Sequence, residues 1–146
     1  MIGIDIVEIE RIKNIYQRHG LSFLEKLLDQ QEINELPTER SRFFFRKLSL
    51  YIASKEAIYK ACSDRDLGWK DIVIRNIAET PLIYIKKSEV THKIKLAYTM
   101  GKEVVISQAL MIRPDEAPVP VSLWHGPRFL QPHPTPALAI IEEINA

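Results

Sequence analysis

The sequence is short of the residues that most often announce a function. There is one cysteine, Cys62, so no intramolecular disulfide can form and a reducing compartment is expected. Five glycines in 146 residues, none of them clustered, leave no glycine-rich loop to cradle a phosphate. The formal net charge is +1, so the chain as a whole has no pull towards nucleic acid. No apolar run reaches the length of a bilayer span. Charges at Asp5 and Glu8 come too early for a secretory h-region. His92, His125 and His133 lack the spacing of metal ligands. A cytoplasmic protein with no nucleic-acid or membrane partner is the expectation.

What is present suits a folded domain. Hydrophobic residues make up 46% of the chain, enough for a real core at this length. "MIGIDIV" alternates: Ile2, Ile4 and Ile6 share one face, and Gly3, Asp5 and Val7 the other. This predicts a strand with a carboxylate on its less apolar side. "EIERIKNIYQRHG" has helical spacing and stops at Gly20, with His19 at the helix end. "LSFLEKLLDQQEINEL" predicts a second helix, ending at Pro37. Thr38 is a suitable N-cap for a third, from Glu39 to Cys62, about 36 Å long.

The pattern then turns to β. "DIVIRN", "PLIYIKK", "KIKLAYTM" and "EVVISQALMI" alternate or run apolar, and "TMGKE" reads as a hairpin turn. Residues 114–146 hold seven of the nine prolines, a density that suits neither a helix interior nor a central strand. The predicted organisation is a domain over 1–113 and a proline-rich extension over 114–146. The predicted fold class is α+β: an N-terminal strand and three helices, followed by an antiparallel sheet crossed by the long helix.

The chemistry centres on "SKEAIYKA", Ser54 to Ala61. Glu56 and Lys60 stand one turn apart in the favourable order for a helix ion pair, worth only about 0.2–0.5 kcal/mol. Such surface pairs are common, and the octet alone favours that bland reading. Asp5 adds a second carboxylate, set among isoleucines where burial without a partner would be costly. It is either on an exposed face or one of two acids converging on a hard cation. Magnesium takes few carboxylates and completes its octahedron with water and phosphate. Lys60 would then neutralise phosphate charge or accept a proton. "RFFFRK", residues 42–47, reads as an aromatic helix face, not a nucleic-acid platform, because no basic stripe continues it.

"GIDIVEIERI" near the N-terminus, followed by "SKEAIYKA" on a long helix, resembles the holo-acyl-carrier-protein synthase family of phosphopantetheinyl transferases. "LGWKDIVIRNIAETPLIYI" is similar to the family's next stretch, and the likeness covers roughly residues 1–112. Two motifs in order are far more specific than either alone. The resemblance implies Mg2+ as metal, coenzyme A as co-substrate and an acyl carrier protein as partner, in a homotrimer with sites at subunit interfaces. It implies that Asp5 and Glu56 bind the metal, that Lys60 lies near the pyrophosphate of coenzyme A, and that Arg11 engages the acidic carrier. Glu56 and Lys60 are the implied catalytic residues, Arg46 and Lys60 the implied coenzyme contacts.

The likeness breaks in places. Relatives carry S-x-S-H on a late strand, where this chain has Lys95, Ala97 and Tyr98 within "KIKLAYTM". An arginine that relatives often have before K-E-A is Tyr51 here. A relative that keeps the fold as a binding module after losing coenzyme contacts is therefore the rival expectation. The retained Asp5, Glu56 and Lys60 favour activity.

Overall fold

A computed structural model of the protein describes residues 1–62, 66–86 and 93–112. The readings placed on His92, His125, His133 and the extension over 114–146 lie outside these residues. Strand β1 (Ile2–Glu8) leads into helix α1 (Ile9–His19), then α2 (Leu21–Leu27), α3 (Gln30–Asn34) and the long α4 (Arg42–Cys62). A 3-10 turn (Trp69–Asp71) precedes β2 (Ile72–Arg75) and β3 (Leu82–Ile85), and β4 (Lys93–Met100) and β5 (Val104–Ile112) close the domain. The mixed helix and antiparallel sheet is the expected α+β class.

Two antiparallel sheets form, one in the order β1-β5-β4 and the other a β2-β3 pair. The strand nearest the N-terminus thus pairs with the last one, Asp5 opposite Ser107. "TMGKE" is the β4–β5 turn, where the Gly101 amide donates to the Val104 carbonyl at 2.8 Å.

Two boundaries differ from the periodicity reading. The second predicted helix is two, because Leu28 is extended and Asp29 starts α3 afresh. The Asp29 carboxylate accepts from the Gln31 amide at 3.1 Å, and Glu32 reaches back to the Asp29 amide at 2.7 Å. The long helix begins at Arg42, not Glu39. Before it, Arg40 lays its guanidinium over the Phe44 ring and donates to the Tyr16 hydroxyl at 2.6 Å and the Thr38 carbonyl at 3.0 Å. These bonds satisfy an irregular turn that Thr38 does not cap.

β1 forms as expected, and the structure decides which of its sides packs inward. The side bearing Gly3, Asp5 and Val7 is the one turned to α4, with Gly3 and Val7 buried. The cause is close approach: a Cβ on Gly3 would lie 1.9 Å from the Ala57 carbonyl oxygen. The buried Ser107 and Ser54 hydroxyls meet at 3.0 Å across the same interface. α4 fills the core with Phe44, Leu48, Tyr51 and Ile58, and Tyr16, Phe44 and Phe45 stack edge to face. Phe43 of "RFFFRK" points outward, so only part of that run packs. The opposite sheet face carries Ile2, Ile4, Ile6, Ile106 and Leu110, with Ile2 60% and Leu110 37% exposed.

Candidate functional site

β1 and α4 lie close enough for their polar side chains to meet. The Lys60 ammonium is 2.8 Å from Asp5 Oδ1 and 3.1 Å from the Ile4 carbonyl oxygen. The Asp5 and Lys60 side chains are 18% and 45% exposed, so the pair stands at an opening and not in the core. Glu56, one turn before Lys60, is half-buried and makes no ion pair or hydrogen bond among the described residues. The Glu56–Lys60 pair that spacing suggests is therefore not made: a tertiary partner, Asp5, takes the lysine.

Asp5 and Glu56 line one cleft of about 470 Å³. Glu8 and Arg11 add charge to its lining, and Ile12, Ile15, Phe23, Leu27, Ile52 and Trp69 supply apolar wall. Arg11 is exposed in the first turn of α1. A lining of both charged and apolar side chains suits a part-charged, part-apolar ligand. Among the described residues no cluster of three or more His, Cys, Asp or Glu could hold a metal. Two carboxylates, one of them unpartnered, fit a hard cation that keeps waters and takes phosphate oxygens.

Of the residues singled out in the sequence, Asp5, Glu56 and Arg11 line this cleft, and Lys60 is paired with Asp5. Arg46 does not. It lies ten residues before Glu56, about 15 Å along the helix, and its Nη2 donates to the Met100 carbonyl at 3.5 Å. Tyr51 does not stand in for a site arginine either. It is buried and donates to Glu35 Oε2 at 2.6 Å, and burial, then that carboxylate, push its hydroxyl pKa well up. Tyr98 donates to the Ala78 carbonyl at 3.2 Å, while Lys95 and Ala97 point to the exposed face.

Sequence reasoning missed a second ion pair beside the cleft. The Lys55 ammonium is 2.6 Å from Glu32 Oε2, and both side chains are 0% exposed. Burial lowers the Lys55 pKa, and the Glu32 charge opposes that shift. The D-x-x-E spacing of Asp29 and Glu32 signals a capping box, but its glutamate is ordinarily at the surface. Nothing local says that it is buried. The apolar lining went unnamed as well, although Ile12 and Ile15 follow helical spacing.

The fold and the site together define an α+β domain whose cleft is lined by two acids and apolar side chains, with a lysine paired to one of the acids. Comparison with known proteins gives this class a family. The family model of the 4'-phosphopantetheinyl transferase superfamily matches residues 1–108. The holo-[acyl-carrier-protein] synthase of Chlorobaculum parvum is 31% identical over 114 residues, covering 75% of this chain and 96% of that protein. That of Chloroherpeton thalassium is 34% identical over 125 residues, covering 79% and 98%. Among solved structures, the Helicobacter pylori synthase in complex with coenzyme A superposes with a TM-score of 0.66 at 26% identity, covering 77% of this chain and 100% of that one. The Bacillus anthracis synthase, in complex with CoA (3',5'-ADP), gives 0.65 at 27%, covering 77% and 95%. The chain belongs to the 4'-phosphopantetheinyl transferase superfamily.

Proposed function

We propose that this protein transfers the 4'-phosphopantetheine group of coenzyme A to a serine of an apo acyl carrier protein, with Mg2+ held by Asp5 and Glu56. The observation that carries this is that Asp5 and Glu56 line one cleft and Lys60 is paired with Asp5. Relatives whose names state that activity, two of them solved with coenzyme A or its fragment, support it.

Bound at these carboxylates, the metal would supply charge to a pyrophosphate. Lys60, paired with Asp5 and 45% exposed, would offer its ammonium to the same phosphates. The apolar wall, with Ile12, Ile15 and Leu27, would seat the pantetheine arm. The carrier's serine oxygen bonds to the phosphorus that bears pantetheine. The bond from that phosphorus to the bridging oxygen breaks, and adenosine 3',5'-bisphosphate leaves. The serine proton goes to a base, and Glu56 and Lys60 are this chain's candidates at the site. The work of the protein is chiefly positioning and charge stabilisation. Arg11, exposed in the first turn of α1 and lining the same cleft, would dock an acidic carrier. Arg46, remote from the cleft within one protomer, could contact coenzyme A only at a site built by a second copy. Ile2 and Leu110, exposed together on the outer sheet face, support the homotrimer this requires. No described helix is long and apolar enough to cross a membrane, in keeping with a cytoplasmic site of action.

The test is the intact mass of an apo acyl carrier protein after incubation with this protein, coenzyme A and Mg2+. A phosphopantetheine-sized gain that disappears with chelator is expected. No gain with several carriers and a folded protein would overturn the reading in favour of a non-catalytic relative. Light scattering in the same buffer should give the mass of three chains.

A further inference from the structure

We propose that Lys55 and Glu32 are positioning residues, whose buried pair holds the wall of the cleft and turns Glu56 into it. This rests on the coenzyme-site reading only for its kinetic arm. Lys55 has three N–H donors and three acceptors: Glu32 Oε2 at 2.6 Å, the Leu27 carbonyl at 2.9 Å and the Trp69 carbonyl at 3.4 Å. No donor is left over. Leu27 and Trp69 both line the cleft. The ammonium therefore ties the end of α2 and the 3-10 turn, two neighbouring pieces of wall, to one point on α4.

Glu32 anchors the other side. Its Oε2 also accepts from the Asp29 amide at 2.7 Å, and its Oε1 accepts from the Ile74 amide at 2.7 Å. Lys55 and Glu56 are adjacent, so their side chains leave α4 about 100° apart. Clamping the first inward fixes the direction of the second. A buried ion pair is weak evidence for stability as such, since well-packed apolar residues often serve as well. Here an apolar pair would leave the Leu27 and Trp69 carbonyls of the wall, and the Asp29 and Ile74 amides, without these partners. What the ions add is the placement of that backbone.

The test uses the full chain in a Trp124→Phe background, which leaves Trp69 as its one tryptophan. Lys55→Met keeps the stem and removes the ammonium, and Lys55→Arg keeps a cation. Lys55→Met should shift Trp69 emission to the red and raise its quenching by acrylamide. It should raise the KM for coenzyme A about tenfold with a smaller fall in kcat, the scale set by a small misplacement of a binding wall. Lys55→Arg should recover part of both effects. A folded Lys55→Met protein with unchanged emission and unchanged KM would overturn the proposal. The emission arm needs no coenzyme, so a protein inactive on coenzyme A throughout would remove the functional reading and leave this one still tested. If Lys55→Met does not fold, amide exchange in the unsubstituted chain decides. Slow exchange at Asp29 and Ile74 without ligand supports a preset wall, and fast exchange at Asp29 refutes it.

Discussion

Two ion pairs hang from neighbouring turns of α4, and they have little in common beyond their chemistry. Lys55–Glu32 is sealed, at 2.6 Å and 0% exposed on both sides, with every lysine donor taken. Lys60–Asp5 is open, at 2.8 Å with the lysine 45% exposed, and beside it stands a carboxylate with no described partner. A sealed pair cannot exchange partners without exposing a buried charge. An open pair can, because water covers the loss. The difference separates a lysine that holds structure from one free to meet a ligand.

Breaking the sealed pair should cost most. Glu32→Ala leaves a buried ammonium without its counter-charge and two amides without partners, and unfolding by denaturant should show a loss of about 3–5 kcal/mol. A loss below about 1 kcal/mol, the range of an exposed pair, would mean that the pair is wetter than its geometry shows. Next comes the contact that brings the open pair together. Gly3→Ala forces β1 off α4, and should destabilise by about 1–3 kcal/mol while weakening turnover through Asp5. Unchanged stability and turnover would show that the strand can shift freely.

Lys60→Met should invert the pattern of Glu32→Ala. Stability should change by no more than about 1 kcal/mol, because the pair is exposed, while kcat falls steeply. Equal effects of the two lysines on stability would erase the distinction. Arg11→Glu should raise the KM for the carrier more than that for coenzyme A, with stability unmoved. An unchanged carrier KM would remove the docking role.

The smallest effect belongs to a third pair, Lys86–Asp29, at 2.7 Å on the surface. The hydrogen bond from Lys86 holds the Asp29 pKa below its usual 3.8, and the same bond raises that of Lys86. Asp29 therefore binds its proton less readily when folded. Its contribution is present above pH 3.8 and fades as pH falls through the lower folded value. Lys86→Ala should remove only part of this slight acid dependence from the unfolding midpoint, because the Gln31 amide still holds the Asp29 carboxylate. A curve that stays parallel to the unsubstituted one down to pH 2 would show the pair contributes nothing.

Much of the architecture was legible in the chain. Alternation marked β1, and 3.6-residue spacing marked α1 and most of α4, because burial on one face leaves that signature. The break between α2 and α3 was not, since the residues around Leu28 continue the helical pattern. Only the capping of Asp29 and the burial of Glu32 end it. Of the candidate site, Asp5, Glu56, Lys60 and Arg11 were readable as residue types in motifs. Trp69 and Leu27 as walls were not, since their role depends on which backbone Lys55 reaches.

Residue order and type alone set the helix, the strand and the presence of two acids and two lysines within reach of one another along α4 and β1. They could not say which lysine would be sealed or which acid left open. Local spacing favours Glu56 with Lys60, yet Lys60 meets Asp5, 55 residues away. That choice follows from the missing side chain at Gly3, which lets β1 rest on the Ala57 backbone and brings Asp5 within hydrogen-bond distance. A helix ion pair worth a few tenths of a kcal/mol yields readily to a through-space contact that the packing has already made.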